Sequence, residues 1–230
     1  MIRIDIIAAL PHYFDSVFDN AIYKRSIQSG LLQLHVHDLR QFGIGNYKQI
    51  DDYPFGGTAG MVLMPEPLAN CIDQLRLQVN YDEIIYLTPD GELFNQKLAN
   101  QLSLSKNLLL VCGHYKGIDQ RIREIYVTKE ISIGDYVLSG GEIAASVLTD
   151  AVLRLVPGIM GDETSALTDS HQDGLLAPPV YTRPSDFKGH KVPDILLSGH
   201  EQKIIEWLHD QSILRTKERR PDLFETWDGE

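Results

Sequence analysis

Residues Leu108 to Glu142, LLLVCGHYKGIDQRIREIYVTKEISIGDYVLSGGE, hold two apolar runs, Leu108–Cys112 and Glu130–Ile133, each opening into a glycine-bearing polar loop. A short apolar run that stops at glycine reads as a buried strand delivering its loop to the edge of a sheet. The loops, Gly113–Gly117 and Gly134–Gly141, lack bulk where a ligand would need to approach the backbone, because glycine has no Cβ in the way. In open α/β sheets ligands bind outside the carboxyl ends of the strands, so two such loops in one chain predict a cofactor crevice. Neither loop is a phosphate cradle. G-x-x-x-x-G-K-[ST] is absent and no G-x-G-x-x-G follows a strand, which removes the main support for nucleotide-triphosphate and dinucleotide binding.

The flanking chain supplies the rest of such a sheet. Ile2–Ala8 predicts a first strand. His12–Ser29 predicts one helix, with Phe14, Val17, Phe18 and Ile22 at helical spacing and Gly30 as its cap. Leu31–Asp38 alternates as a half-buried strand and puts His35 and His37 on its polar face, as surface residues. Gln41–Met64 is a long polar loop in which Asp51 and Asp52 read as solvated. Pro65–Leu77 predicts a helix, and Glu83–Leu87 a strand ended by the turn Thr88–Gly91. Helices follow at Asn95–Leu104, Ile118–Glu124 and Glu142–Leu155. Strands alternating with helices mean an α/β domain with a largely parallel sheet. From Pro157 to Pro179 periodicity is lost, and beyond it Asp194–Leu197, Glu201–Leu214 and the residues after Arg219 read as helices. The expected organisation is an α/β domain at 1–160, a flexible linker at 161–182 and a small helical domain at 183–230.

Charge and cysteines exclude several function classes. A net charge of −11 argues against a sequence-blind nucleic-acid binder held by phosphate contacts. Basic residues do cluster at Arg215, Lys217, Arg219 and Arg220, a run most simply read as a solvated helix face. Cys71 and Cys112 sit in apolar context without ligand-spaced partners, as reduced thiols of a cytoplasmic protein do. No apolar run approaches the ~18 residues of a membrane span, and no signal peptide is recognisable.

The motifs in order are PFGGTAGMVLMPEPL (54–68), YLTPDG (86–91), LVCGHYKGIDQR (110–121), ISIGDYVLSGGE (131–142), DAVLRLVPG (150–158), SALTDS (165–170), GLLAPPVYTRP (174–184), VPDILLSGH (192–200) and RTKERRPDL (215–223). Along nearly its whole length the chain resembles the bacterial tRNA (guanine-N1)-methyltransferase family, TrmD. The resemblance implies a SPOUT-class fold, an α/β parallel sheet tied in a deep trefoil knot, and a homodimer with active sites at the subunit interface. It also implies transfer of a methyl group from S-adenosylmethionine to N1 of the guanosine immediately 3′ of the anticodon. Another SPOUT enzyme, methylating a ribose 2′-hydroxyl, and a non-catalytic RNA-binding module are the alternatives.

Residue by residue, the resemblance makes the glycine loops a cofactor wall of Tyr86, Leu87, Thr88, Pro89, Gly113, Tyr115, Gly117, Ile133, Gly134, Asp135, Tyr136, Val137 and Leu138, with Gly140 and Gly141 behind. Guanine N1 carries a proton that a base must remove as the methyl arrives, and Asp169 matches the family's base. Negative charge then builds on the purine O6, where a fixed donor lowers the barrier, and Arg154 matches that residue. Gly57 falls in the loop near the guanine. Ser198, His200, Arg215, Arg219 and Arg220 are the expected contacts to the tRNA anticodon stem-loop, with the linker as a lid over the substrate. Many relatives carry an acidic residue, associated with magnesium (Mg2+), where this chain has Lys116, and arginine where it has His114. A lysine cannot ligate a cation in that way, so the metal is left unassigned.

Overall fold

The structure, a computed structural model, describes residues 1–160 and 169–229. Two compact units make up the chain, Met1–Gly161 and Asp162–Glu230.

The first unit is built on a five-stranded sheet of β1 (Ile2–Ala8), β2 (Leu32–Asp38), β5 (Glu83–Leu93), β6 (Asn107–Cys112) and β7 (Lys129–Ser132), in the order β2-β1-β6-β5-β7. Every pairing in it is parallel. Alternate side chains of the central strands feed two different cores. Ile2, Ile4, Ile6, Ile85, Leu87, Leu108 and Leu110 face one, with Leu148 and Val152 of α6 (Glu142–Leu153). Ile7, Ile84, Tyr86, Leu109 and Val111 face the other, with Leu68, Cys71 and Ile72 of α3 (Pro65–Arg76). Burial on both faces is why Ile84–Leu87 of β5 and Leu108–Cys112 of β6 are continuous apolar runs, whereas β1 keeps Arg3 and Asp5 between its isoleucines. Each fully buried Leu or Ile contributes about 1.5–3 kcal/mol of transfer free energy.

Three expectations are corrected. The helix expected over His12–Ser29 is broken into a 3₁₀ turn (Pro11–Tyr13), α1 (Phe14–Val17) and α2 (Ala21–Gln28). Asn20 is responsible: its side chain accepts from the Ile22 N–H at 3.2 Å, starting a new helix. Gly30 does terminate α2. At φ +72° it brings its own N–H to the Ile27 carbonyl and the Leu31 N–H to the Ser26 carbonyl, the two bonds of a Schellman cap. The turn expected to end the third large strand does not end it. Thr88–Gly91 loops out between Leu87 and Glu92, both of which pair with Ile131, and the strand resumes. The third correction concerns His37, expected on the surface. Its Nε2 lies 2.6 Å from Oδ1 of the fully buried Asp5, which also takes Arg3 Nε at 2.6 Å. Inside the long polar loop, β3 (Asp51–Asp52) and β4 (Val62–Leu63) form a short antiparallel pair.

In the second unit the expected helices are present at Asp194–Leu197, Glu201–Arg219 and Pro221–Thr226, the middle one extending five residues further than the apolar pattern reaches. Leu175 is buried, and the Leu176 N–H is accepted by Thr216 Oγ1 at 2.8 Å, anchoring the end of the aperiodic segment to the long helix. This unit also contains a small β-hairpin, Asp186–Phe187 with His190–Lys191, to which the expectation of a small, mostly helical domain assigns no strand. Part of the expected linker, 161–168, lies outside the described residues. Among the described residues no helix is long and apolar enough to cross a membrane.

Candidate active site

Strands β6, β5 and β7 are neighbours, so the segments following them, together with the Thr88–Gly91 excursion, meet at one end of the sheet. They enclose a cleft of ≈ 270 Å³. Tyr86, Leu87, Thr88 and Pro89 line it from β5; Gly113, Tyr115 and Gly117 from the loop after β6; Ile133, Gly134, Tyr136, Val137, Leu138, Gly140 and Gly141 from the loop after β7. Of the predicted cofactor wall only Asp135 is not among the lining residues; it is exposed. The structure adds His114, Lys116, Ile131, Ser132, Ser139 and Ala144 to the lining. Ile131 and Ser132 could have been read as the carboxyl end of the strand; nothing in the spacing singles out Ala144, one turn into α6.

The glycines are where backbone meets backbone. The Gly141 N–H donates to the Gly113 carbonyl at 2.8 Å, stitching the two loops together. A Cβ on Gly141 would lie 2.8 Å from Cys112 Cα, and one on Gly113 would lie 2.9 Å from the Tyr86 ring. Tyr115 holds the left-handed region at φ +60°, a conformation that costs a non-glycine residue about 1–2 kcal/mol and that turns the chain along the cleft wall. The Thr88–Gly91 excursion is pinned as well. Arg123, from α5 (Gln120–Tyr126), binds Glu130 at 2.7 and 2.6 Å and Asp90 at 2.7 Å, with its guanidinium 5.4 Å above the Tyr86 ring. Hydrogen bonds from Thr88 and Arg123 hold the Asp90 carboxyl below its ordinary value, and burial raises the Tyr86 hydroxyl.

His114 and Lys116 bring basic side chains to the cleft. Glu142 is buried under the loops, with Oε2 3.5 Å from His114 Nε2. Lys116 is exposed, and its aliphatic stem covers Gly60, whose added Cβ would meet Lys116 Cγ at 2.9 Å. The Lys116 N–H donates to the Met61 carbonyl at 3.0 Å, and the Leu63 N–H to that of Gly117 at 3.0 Å. The loop carrying Gly57, itself exposed at φ +74°, is therefore tied to the cleft wall. Arg154 caps the end of α6 and is half-buried. Asp169 is exposed and belongs to the second unit. Among the described residues no group of three or more His, Cys, Asp or Glu side chains is placed to hold a metal ion.

The remaining predicted contacts are divided by the structure. Ser198 and His200 are exposed at the turn before the long helix, where Ser198 Oγ donates to Ile195 O at 2.7 Å and accepts from the His200 N–H at 3.2 Å. Arg215 is half-buried, Arg219 is exposed, and Arg220 is paired with Asp222 at 2.6 Å.

Comparison with known proteins matches this arrangement to one family. Residues 2–226 match the family described as tRNA (guanine-1)-methyltransferase TrmD. A protein of Christiangramia forsetii named tRNA (guanine-N(1)-)-methyltransferase is 59% identical over 97% of this chain and 99% of its own length. One of the same name from Bacteroides thetaiotaomicron is likewise 59% identical over the same shares. A third, from Flavobacterium johnsoniae, is 56% identical over 97% of this chain and 99% of its own. A match spanning both units, joined to a cleft built from the family's glycine loops at the carboxyl ends of three parallel strands, identifies the chain as a member of the TrmD family.

Proposed function

We propose that the cleft at the ends of β5, β6 and β7 holds S-adenosylmethionine, and that Asp169 and Arg154 act on the guanosine immediately 3′ of the anticodon of a tRNA. By family, the chain is an S-adenosylmethionine-dependent tRNA (guanine-N1)-methyltransferase of the SPOUT class. The observation that carries the assignment of the site is the glycine-stitched cleft itself. Its walls are largely apolar side chains and glycine backbone, with Thr88, His114, Lys116, Ser132 and Ser139 as the polar side chains, and the sequence offers no phosphate cradle. That suits a nucleoside bearing one sulfonium charge and no phosphate better than it suits a nucleotide. When bound, that group supplies an electrophilic methyl.

The chain's own residues account for the rest of the chemistry. Leu87, Pro89, Ile133 and Leu138 exclude water from the donor, which strengthens every electrostatic interaction made there. Asp169 takes the N1 proton, and Arg154 donates to O6 as negative charge develops on it. Gly57, on the loop tied to Lys116, leaves room for the purine. Ser198, His200, Arg215 and Arg219 meet the anticodon stem-loop, and Arg220 joins them where Asp222 releases it. In the same reading 161–182 closes as a lid, 183–230 carries the tRNA, and the trefoil knot of the class shapes the cleft. Two copies complete each site, in the cytoplasm.

The test is single-turnover methyl transfer by Asp169→Asn and Arg154→Ala, with cofactor affinity measured by calorimetry, in the presence and absence of magnesium. The first substitution is expected to slow transfer by about 10²–10⁴-fold and the second by about 10²–10³-fold, both binding the donor as the parent does. Undiminished transfer by Asp169→Asn would remove it as the base.

A further inference from the structure

We propose that the hairpin Asp186–Lys191 is an RNA-binding element that holds the tRNA by two lysines and an exposed aromatic face. The proposal rests on the chain acting on tRNA, as above, and adds a contact surface that the family motifs did not suggest.

The hairpin is built to be rigid. Phe187 pairs with His190 and Asp186 with Lys191, around a two-residue turn in which Lys188 (φ 55°) and Gly189 (φ 84°) are both left-handed. This is the twist-matched hairpin turn. The Asp186 carboxylate accepts from the Gly189 N–H at 2.9 Å, and the Val192 N–H donates to Ser185 at 2.9 Å, extending the ladder. What the rigid turn presents is unusual for this chain. Residues 181–191 are all exposed. They carry Arg183, Lys188 and Lys191 against Asp186 alone, in a protein whose net charge is −11. None of the three cations makes an ion pair with a described carboxylate, and the one acid in the segment is spent on the turn. Phe187 is 59% exposed and shares a face with its cross-strand partner His190, with Lys188 Nζ 5.3 Å above its ring.

The Arg215–Arg220 run, the most basic stretch of the sequence, is partly consumed at home. Arg220 pairs with Asp222 at 2.6 Å, and Arg215 is half-buried. Unpaired cations beside a solvent-facing ring are the combination that grips single-stranded or looped RNA, charge on phosphate and ring on base.

The experiment measures tRNA binding by the full chain across a salt series, for the parent, for Lys188→Ala with Lys191→Ala, and for Phe187→Ala. Removing two phosphate contacts is expected to flatten the slope of log affinity against log salt by roughly 1.4–1.8. Loss of the ring is expected to weaken binding about 5- to 150-fold with the slope retained, and Phe187→Trp to restore it. In turnover the losses fall on KM for tRNA rather than on kcat, and affinity for S-adenosylmethionine is unchanged. Parent-like slope and affinity in both variants, while the parent methylates tRNA, would overturn the hairpin assignment alone. A changed sedimentation state without a changed salt slope would overturn it in favour of a protein interface. A parent that neither binds nor methylates tRNA would bring down the functional reading beneath it.

Discussion

Gly141→Ala isolates the contact on which the cleft depends. Gly141 has an ordinary right-handed backbone (φ −80°, ψ −7°), so alanine meets no conformational barrier there. What it meets is Cys112 Cα at 2.8 Å and the Gly113 amide nitrogen at 3.0 Å, both backbone and neither able to swing aside. Relief requires the loop after β7 to retreat from the end of β6, lengthening the 2.8 Å bond from the Gly141 N–H to the Gly113 carbonyl. Overpacking of this kind costs about 1–3 kcal/mol, offset by about 0.4–1 kcal/mol from the stiffer unfolded chain. A net loss near 1–2 kcal/mol lowers Tm by about 2–8 °C in a chain of this size. Because the displaced atoms are the cleft wall, affinity for S-adenosylmethionine should fall together with Tm. The assays are scanning calorimetry and titration calorimetry on the same preparation. Unchanged Tm with unchanged cofactor affinity would refute the claim that these glycines exist to let the two loops touch.

Two further outcomes follow from buried ionisable groups. Burial opposes ionisation of Asp5, but hydrogen bonds from His37 and Arg3 outweigh it and bring the carboxyl down to about 2 from an ordinary 3.8. A folded-state value below the unfolded one stabilises the fold above pH ~4, and that contribution is lost as pH falls toward 2. Asp5→Asn should therefore cost about 2 kcal/mol at neutral pH, with the gap between variant and parent closing between pH 4 and 2; a constant gap in urea titrations across that range would contradict the linkage. Burial pushes the Cys71 thiol up to about 12 and raises Cys112 strongly. Neither should react with a thiol reagent in the native protein at pH 8, and both should react in denaturant; modification of the native protein would contradict their placement.

The sheet was legible because its central strands are buried on both faces. Leu108–Cys112 could be little other than a core strand, and Ile2–Ala8 likewise. The glycine loops could be read as cleft walls for the same reason, since a buried parallel strand delivers its loop to one end of the sheet. What stayed hidden depended on single polar side chains or on pairing partners distant in sequence. Asn20 ends one helix and starts another from inside an apolar pattern that runs past it. Thr88–Gly91 has the composition of a terminal turn, and only Glu92 and Leu93 pairing with β7 shows that the strand continues. His37 reads as a surface residue until Asp5, 32 positions earlier, comes within 2.6 Å across the sheet. The Asp186–Lys191 hairpin turns at Lys-Gly rather than at Asn-Gly or Asp-Gly, so the usual signal was missing. In the sequence His114 and Lys116 stand out only as departures from the family pattern, whereas their place in the cleft wall follows from the Gly113–Gly117 loop folding back toward Met61. Asp169 and Arg154 owe their assigned roles to the family motif, since an exposed aspartate and a helix-capping arginine carry no local mark of catalysis.

The identity and position of the methylated atom test the proposed reaction most directly. Labelled S-adenosylmethionine and unmodified tRNA bearing guanosine 3′ of the anticodon would be incubated with the protein, beside the same tRNA bearing adenosine there. The product would be digested to nucleosides and the modification located by primer extension. Label is expected in 1-methylguanosine at that one position, with none in the adenosine tRNA. Label in a ribose 2′-O-methyl nucleoside, or in both tRNAs alike, would contradict it.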